Sequence, residues 1–341
     1  MAPGMEIQKH IALKPFNTFG IEAEAAYMAE ICTLQEAVNV ITDKRYRGLP
    51  LLVLGGGSNI LFTKDFDGLI IRNSLRGIET LRTEGDKIFV KAAAGETWND
   101  LVDYCVARNY GGVENLSLIP GSVGAAPIQN IGAYGAELKD VFYSLEALET
   151  ATGRVRTFYH GDCRFGYRES VFKHEAKGRY VILEVTLCLD INPVLKTGYG
   201  AIESELNRMQ VEPSVQSISR AVCNIRRSKL PDPALLGNAG SFFKNPSVSK
   251  EIFHSLKAEY PGIVAYQNSD GSIKLAAGWL IEQCGWKGKV AGRVGVHKDQ
   301  ALVIVNFGGG TGKEIYALSE EILHSVKEKF GIDLEREVNV I

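Results

Sequence analysis

The sequence lacks clustered metal ligands and a cysteine framework. Its 6 cysteines and 6 histidines are scattered along 341 residues, without C-x-x-C or H-x-x-x-H spacing. Zinc sites and disulfide-rich scaffolds both need such residues at short, regular intervals. We therefore expect neither a metal centre nor a disulfide-stabilised fold.

Long apolar runs and an excess of positive charge are missing as well. No stretch of the chain approaches the roughly 20 apolar residues that cross a bilayer, and Met1 to His10 lacks the apolar segment of a signal peptide. The formal net charge of −2 offers no basic face to nucleic acid or anionic lipid. We expect a cytoplasmic protein with no nucleic-acid partner and no membrane insertion, which binds any anion through a local arrangement.

The chain is long enough, and at 45% hydrophobic residues apolar enough, for two or three domains. Periodicity predicts α+β structure, with helices at 34–42, 97–108, 214–229, 250–259, 276–283 and 313–330, and strands at 69–72, 87–92, 143–149, 154–159, 180–189, 301–305 and 334–340. Proline and glycine interrupt the pattern near 192–213. We expect one region over 1–213, in two subdomains that meet near residue 75, and a second over 214–341 whose last strand is a candidate to return to the first.

Three consecutive glycines, Gly55 to Gly57, lie between the apolar stretches 51–54 and 60–62. Glycine adopts positive φ without a Cβ penalty, so such a turn can direct several N–H groups at one anion. A dinucleotide-binding G-x-G-x-x-G loop would have glycine where Ile60 stands. The pattern therefore predicts strand, loop and strand, with a pyrophosphate held by turn amides; a plain glycine-rich hairpin is the alternative.

A second segment, residues 116–135, is rich in glycine, alanine and proline and has no charged side chain. Loops of this length inside a compact domain usually serve a ligand, and small residues let backbone lie against a flat ring or a phosphate chain. A hinge is the alternative. The later segment 163–170 combines two arginines with two aromatic residues, which suits carboxylate or phosphate recognition, or simply a surface.

The second region contains two further turns of interest, one before a candidate site residue and one that resembles a phosphate-binding loop. Residues 237–246 place Ser241 between a tight turn and an aromatic strand. Residues 307–313 have glycines and a lysine but not the spacing of a phosphate-binding P-loop, and we interpret them as a turn that starts a helix.

Seven motifs together resemble the UDP-N-acetylenolpyruvoylglucosamine reductase family and cover nearly the whole chain in the right order. They are Asn17-Thr-Phe-Gly20, Gly55-Gly-Gly-Ser-Asn59, Ile119-Pro-Gly121, Gln129-Asn-Ile-Gly-Ala-Tyr-Gly135, Phe165-Gly-Tyr-Arg168, Gly240-Ser-Phe-Phe-Lys-Asn245 and Leu275-Ala-Ala-Gly278. The resemblance implies an FAD-binding domain of the vanillyl-alcohol-oxidase (PCMH) type, followed by a smaller α+β substrate-binding domain. It also implies a monomeric flavoprotein of peptidoglycan precursor synthesis that uses a UDP-sugar and NADPH.

In this family NADPH reduces FAD, and flavin N5 then delivers hydride to the enolpyruvyl methylene carbon, which gives the lactyl ether. Negative charge develops at the substrate carboxylate, and the α carbon needs a proton. By resemblance, Arg168 binds that carboxylate, Ser241 donates the proton and Glu337 orients or relays it. Glu335 is a rival to Glu337 by spacing, since residues two apart share one face of a strand.

The resemblance also assigns binding residues. The expected FAD contacts are Gly55, Gly56, Gly57, Ser58, Asn59, Ile60, Pro120, Gly121, Ser122, Gly124, Ala125, Asn130, Ile131, Gly132, Ala133 and Tyr134. The expected substrate contacts are Tyr167, Tyr199, Lys229, Asn245 and Gln300, with Tyr199 as the tyrosine of a mobile substrate loop between two glycines.

Two other function classes remain open at the level of the sequence. One is an oxidase with covalently attached FAD, which normally uses histidine or cysteine near the glycine loop; residues 55–59 have neither. The other is a nucleotide-sugar binding module without turnover, against which the presence of Arg168, Ser241 and Glu337 argues.

Overall fold

The computed structural model describes residues 7–268 and 270–341, so the first six residues of the segment Met1–His10 lie outside the described residues. The described strands, in chain order, are β1 Gln8–Ala12, β2 Glu24–Ile31, β3 Leu51–Leu54, β4 Ile60–Leu61, β5 Phe66–Asn73, β6 Ile78–Glu84, β7 Lys87–Ala93, β8 Gly132–Ala133, β9 Ala136–Glu137, β10 Phe142–Glu149, β11 Val155–Tyr159, β12 Tyr180–Asp190, β13 Gly237–Ser241, β14 Ser247–Val248, β15 Ala265–Gln267, β16 Ile273–Leu275, β17 Val290–Ala291, β18 Val294–Val296, β19 Val303–Asn306 and β20 Asn339–Val340.

The helices are α1 Leu34–Thr42, α2 Trp98–Ala107, α3 His160–Cys163, α4 Gly200–Met209, α5 Val215–Lys229, α6 Lys250–Glu259, α7 Ala277–Gln283 and α8 Gly312–Phe330. The predicted α+β class is confirmed. Among the described residues, no helix combines the length and apolarity that crossing a membrane requires.

Capping chemistry explains where several helices begin. Thr33 and Glu36 form a capping box at α1, and Thr311 and Glu314 form another at α8. The glycine-rich turn before α8 is therefore the start of a helix, as predicted. Thr97 precedes α2 as expected, but its side chain makes no capping hydrogen bond.

The chain divides into two compact units, described separately below. Unit 1 contains the described residues up to Ile11, together with Ala25–Gly56 and Asp67–Ser228, whereas unit 2 contains Ala12–Glu24, Gly57–Phe66 and Lys229–Ile341. The expected boundary at 213/214 stays a prediction; by contacts, α5 lies in unit 1 through Ser228.

Unit 1 is built on two sheets. The four-stranded sheet has the order β1-β2-β5-β3, and the five-stranded sheet has the order β11-β10-β12-β7-β6. One core packs α1 against the first sheet, and a larger core joins the second sheet to α2 and the long loop before β8. A third apolar cluster joins α4 to α5.

Unit 2 carries a four-stranded sheet of order β13-β19-β18-β17, a three-stranded sheet of order β14-β16-β15 and the parallel pair β20-β4. Two sequence expectations were wrong here. The strand expected over 334–340 is reduced to β20, because Arg336 instead forms an isolated bridge with Phe243. Ser241 ends a strand and does not precede one: it pairs with Val303 as the last residue of β13, and the next pairing, of Phe243 with Arg336, is an isolated bridge and not a regular strand.

Candidate active site

The glycine loop joins a strand of unit 1 to a strand of unit 2 without an intervening helix, as predicted. In unit 1, a Cβ on Gly55 would overlap the hydroxyl of Ser122, and one on Gly56 would lie 3.3 Å from the Cα of Gly121. These glycines therefore allow the Ser122 side chain and the Gly121 backbone to approach closely. The fold brings four of the expected FAD residues together in unit 1.

Of the three glycines in the loop, Gly57 alone has positive φ, at 62°. In unit 2 the carbonyl of Gly57 accepts a hydrogen bond from the Thr18 amide at 3.1 Å, and a Cβ on Gly57 would overlap the Phe16 carbonyl. The sequence could not distinguish close backbone approach from backbone conformation as the reason for glycine.

The residue that ends the loop, Asn59, is bound to the C-terminal segment within unit 2. Its carbonyl accepts from the Asn339 amide at 3.1 Å, and its side-chain amide donates to the carbonyl of Glu337 at 3.3 Å. An expected cofactor residue and an expected catalytic residue are thus adjacent. Ile60, the next residue, is buried and begins β4.

In unit 1 the 116–135 segment is bonded to its surroundings along its length. Trp98 donates from its indole to the Leu116 carbonyl at 3.0 Å, and the Ser117 hydroxyl lies 2.8 Å from that of Ser219. Residues Val123–Ala125 form a short helical turn, and the segment ends in the hairpin β8-β9. These contacts at several points along the segment argue against the hinge alternative.

Arg168 lies in a tight turn of unit 1 and points at that same loop. Its Nη2 donates to the carbonyl of Gly132 at 2.8 Å, and its guanidinium carbon lies 5.6 Å from the centre of the Tyr167 ring. The backbone of Arg168 is left-handed, with φ 55°. The expected carboxylate-binding arginine is therefore next to the expected flavin segment 130–134.

Sequence reasoning missed Arg226, on α5. Its Nε donates to the Leu118 carbonyl at 3.1 Å. Burial lowers the pKa of the Arg226 guanidinium; the nearby Tyr134 hydroxyl opposes this shift and repulsion from Arg168 adds to it. Burial in turn raises the pKa of Tyr134, against the effect of Arg226. Two cationic side chains in a partly buried place favour an anionic ligand. The basic end of α5, Arg226 to Lys229, was the available sequence signal.

Tyr199 packs on this part of unit 1. Its ring meets the ring of Tyr134 edge to face, with centroids 5.5 Å apart, yet Tyr199 remains 43% exposed. It immediately precedes α4. The tyrosine expected in a substrate loop therefore touches a residue expected to hold the cofactor.

In unit 2, Ser241 and Glu337 lie on neighbouring segments. The amide of Glu337 donates to the carbonyl of Phe242 at 2.8 Å, directly after Ser241. The carboxylate of Glu335 instead pairs with the buried ammonium of Lys244 at 2.6 Å. This ion pair distinguishes the two glutamates: the Glu335 side chain pairs with Lys244, whereas the Glu337 backbone is bonded to the residue after Ser241.

Two of the expected substrate residues each lie next to the first turn of α7. The Asn245 side chain accepts from the Ala277 amide at 2.9 Å, and the Gln300 side chain lies 3.4 Å from a Cβ placed on Gly278. Lys229 is the exposed last residue of α5, and no hydrogen bond found among the described residues joins it to Asn245 or Gln300.

Comparison with known proteins agrees with this geometry. A family model described as an FAD binding domain matches residues 25–159, and one described as UDP-N-acetylenolpyruvoylglucosamine reductase, C-terminal domain, matches residues 232–341. Their order confirms the predicted fold class. A crystal structure of UDP-N-acetylenolpyruvylglucosamine reductase from Thermus caldophilus matches with a TM-score of 0.66 and 23% identity over 99% of both chains, which supports the fold.

Curated relatives extend the match to the sequence. The UDP-N-acetylenolpyruvoylglucosamine reductase of Pseudomonas putida is 49% identical over 98% of this chain and 98% of its own length. That of Pseudomonas aeruginosa is 49% identical over 98% of this chain and 99% of its own. The chain belongs to the UDP-N-acetylenolpyruvoylglucosamine reductase family and is an FAD-dependent oxidoreductase.

Proposed function

We propose that the protein reduces the enolpyruvyl group of UDP-N-acetylglucosamine enolpyruvate to the lactyl ether, giving UDP-N-acetylmuramate, with NADPH as the hydride donor. The observation that carries this proposal is the adjacency of Ser241 and the Glu337 segment in unit 2, in a chain whose relatives are named for this reaction.

The residues present fit a flavin dinucleotide. A Cβ on Gly55 would overlap the Ser122 hydroxyl and one on Gly56 would lie 3.3 Å from the Gly121 Cα, so the glycine loop runs close to the 121–122 segment; turn amides of such a loop suit a pyrophosphate. Within segment 130–134, the small residues Gly132 and Ala133 are half-buried beside Tyr134. When bound, FAD supplies hydride transfer, first from NADPH and then to the enolpyruvyl methylene carbon.

Arg168 is the group we assign to the substrate carboxylate. Hydride addition at the methylene carbon builds negative charge on that carboxylate, and a guanidinium stabilises it more in the transition state than in the ground state. Arg226 adds positive charge in the same part of unit 1. Loss of one such donor typically costs about 2.7 to 4 kcal/mol of transition-state stabilisation.

Ser241 is the group we assign to protonation of the α carbon. A serine hydroxyl is a weak acid, but the carbanion-like centre is a strong base, so a well-placed O–H can serve. Glu337 would orient the hydroxyl or return its proton, because its backbone is bonded to the residue after Ser241. Asn245 and Gln300 would bind the sugar nucleotide near α7, together with Lys229 and with Tyr199 as a closing residue.

The test separates the two half-reactions in the wild-type protein. Flavin bands should be present after purification or after FAD addition. NADPH should bleach them anaerobically, NADH should do so more slowly, and UDP-N-acetylglucosamine enolpyruvate should restore them with formation of UDP-N-acetylmuramate. Reduced flavin that the enolpyruvyl substrate does not reoxidise would contradict the proposal, and flavin that survives acid precipitation on the protein would indicate a covalent oxidase instead.

A further inference from the structure

In unit 1, three hydrogen bonds join residues 128–132 to residues 166–170, and we call this arrangement the clasp. The Ser170 hydroxyl donates to the Ile128 carbonyl at 2.6 Å. The Asn130 amide donates to the Gly166 carbonyl at 2.9 Å. Arg168 donates to the Gly132 carbonyl at 2.8 Å. The clasp thus joins the expected flavin segment to the turn that carries Arg168.

Asn130 lies at the centre of the clasp and is fully buried, with 0% exposure. Its Oδ1 accepts from the Lys139 amide at 2.9 Å, and its Nδ2 donates to Gly166 and more weakly to Glu137 at 3.3 Å. The amide therefore uses its acceptor and both donor directions inside the protein. The backbone of Asn130 is itself left-handed, with φ 42°, which asparagine tolerates better than most residues.

The turn held by Asn130 is strained at Arg168. Gly166 and Glu169 exchange backbone hydrogen bonds at 3.0 and 3.2 Å, which forces the chain to reverse over two residues. Arg168, at φ 55°, occupies a region that a non-glycine residue adopts only when its surroundings fix it. Lys173 supports the turn by donating to the Arg168 carbonyl at 3.1 Å.

We propose that Asn130 is a positioning residue that acts through Gly166 to hold the Arg168 guanidinium in the orientation that binds the substrate carboxylate. Sequence resemblance suggested a cofactor contact for Asn130, but its side-chain amide is committed to the turn. The inference rests on the proposed role of Arg168. It predicts that the two residues act as one unit.

The first test is a double-mutant cycle on the FAD-loaded protein, followed by rapid mixing. Asn130→Ala should slow flavin reoxidation by the enolpyruvyl substrate about 10- to 100-fold, since a misplacement of about 1 Å can cost 100-fold. Flavin reduction by NADPH should change by less than about 3-fold. In an Arg168→Lys background, Asn130→Ala should add less than about 3-fold, because residues of one unit are not additive. Effects that multiply would overturn the proposal.

A pH profile offers a rescue that general loss of structure would not give. In Asn130→Asp the carboxylate keeps an acceptor for Lys139 but has no donor for Gly166, and it faces the carboxylate of Glu137. Protonation restores an O–H donor. Reoxidation by Asn130→Asp, relative to wild type, should therefore rise as the pH is lowered from about 8 to about 6. A ratio that is constant or falls would contradict the proposal.

Hydrogen exchange tests the positional claim without turnover. In Asn130→Ala the hydrogen-bonded amides of Gly166 and Glu169 should exchange at least about 10-fold faster than in wild type. The control Asn109→Ala, which removes an exposed asparagine at φ 59°, should leave them protected. Unchanged protection in Asn130→Ala overturns the proposal. If amide exchange behaves as expected but the enolpyruvyl substrate does not reoxidise the flavin of the wild-type protein, only the proposed function is contradicted.

Discussion

At the scale of single residues, Gly56 and Gly57 are glycines for different physical reasons. Gly57 combines positive φ with a carbonyl, that of Phe16, where its Cβ would lie. Gly56 lacks the left-handed φ, and the atoms nearest to a Cβ placed on it are backbone atoms of Gly121, the first at 3.3 Å. Gly57 is therefore needed for the fold of unit 2, whereas Gly56 leaves space beside a loop that is proposed to bind FAD.

We expect Gly57→Ala to destabilise the protein by at least about 2 kcal/mol, because left-handed strain and a backbone overlap add. Gly56→Val should instead leave the protein folded and abolish FAD binding, because the valine side chain would fill the space beside Gly121 where the cofactor is proposed to lie. Thermal unfolding without FAD and a flavin titration measure the two effects. Gly161→Ala, where a Cβ meets nothing, is the control. A Gly56→Val protein that binds FAD normally would disprove the assignment.

Ser241→Ala should separate hydride transfer to the flavin from protonation of the substrate. Flavin bleaching by NADPH should stay within about 2-fold of wild type, whereas reoxidation by substrate should fall by roughly 10² to 10⁴-fold, the usual contribution of a general acid. Ser241→Cys retains a donor and should recover part of the rate. Rapid-mixing absorbance follows both steps. Equal slowing of the two steps would remove the assigned role of Ser241.

At the scale of elements, the connection between β18 and β19 carries Gln300 and contains a pH-sensitive group. The ring Nδ1 of His297 accepts a hydrogen bond from the Asp299 amide at 3.3 Å. Burial lowers the pKa of His297 from 6.5; Asp299 opposes this shift and Lys298 adds to it. The folded protein therefore favours the neutral ring, which can accept that hydrogen bond.

Stability should consequently fall as the pH drops below 6.5. The unfolded chain binds the proton first, so the contribution of neutral His297 is present above 6.5 and is lost towards the lowered folded pKa. His297→Asn keeps an acceptor for the Asp299 amide but does not titrate. Between pH 7.5 and 5.5 its Tm should decrease by up to about 2 °C less than that of wild type. His254→Asn, on the exposed surface of α6, should behave as wild type; identical slopes for all three proteins would contradict the prediction.

The tyrosine directly before α4, Tyr199, is a candidate to close on the substrate. Tyr199 meets Tyr134 through its ring, so Tyr199→Phe keeps the packing and loses only the hydroxyl. If this hydroxyl closes on the UDP-sugar, Tyr199→Phe should raise KM for that substrate about 10-fold and leave flavin reduction by NADPH unchanged. Tyr199→Ala, which also removes the ring, should be weaker still. Equal losses in both half-reactions would argue against a closing role.

At the scale of the whole molecule, local patterns predicted local structure. The bounds of α1 and α6 agree with their apolar periodicity, and the serine or threonine before each helix accepts a capping hydrogen bond. Local patterns could not predict contacts between residues distant in sequence. Spacing could not tell that Arg336 would bridge to Phe243, or that Glu335 would pair with Lys244.

The same limit applies to the candidate site. Motifs identified Arg168 and Asn130, but only the fold shows that the Asn130 side chain is bonded to the turn that carries Arg168. Arg226 lies outside every motif. Its electrostatic interaction with the Tyr134 hydroxyl arises only because the packing of α5 brings the two side chains together. Membership of unit 2 was likewise hidden, because 12–24 and 57–66 are far from 229–341 in sequence.

Those two early segments supply part of the core of unit 2. Phe19 and Phe62 are each 1% exposed, and the ring of Phe19 meets that of Phe242 at 6.2 Å. The Phe19 carbonyl accepts from the Asn306 side chain at 2.9 Å. Along the other segment, β20 pairs in parallel with β4. The unit is therefore assembled from three parts of the chain.

A fragment of residues 229–341 should accordingly fail to fold on its own. Each buried aromatic side chain that it lacks contributes about 1.5 to 3 kcal/mol, a large share of the about 5 to 15 kcal/mol that stabilises a domain. We expect no cooperative thermal transition by circular dichroism. Synthetic peptides 12–24 and 57–66, added together, should restore part of the transition, and a 12–24 peptide with Phe19→Ala should restore less because the contact with Phe242 is gone. A fragment that unfolds cooperatively without peptides would show that the early segments are dispensable, and Gly237 and Gly312 would then lose their reason to be glycine, since the Phe19 and Phe62 carbonyls occupy the places where their Cβ atoms would lie.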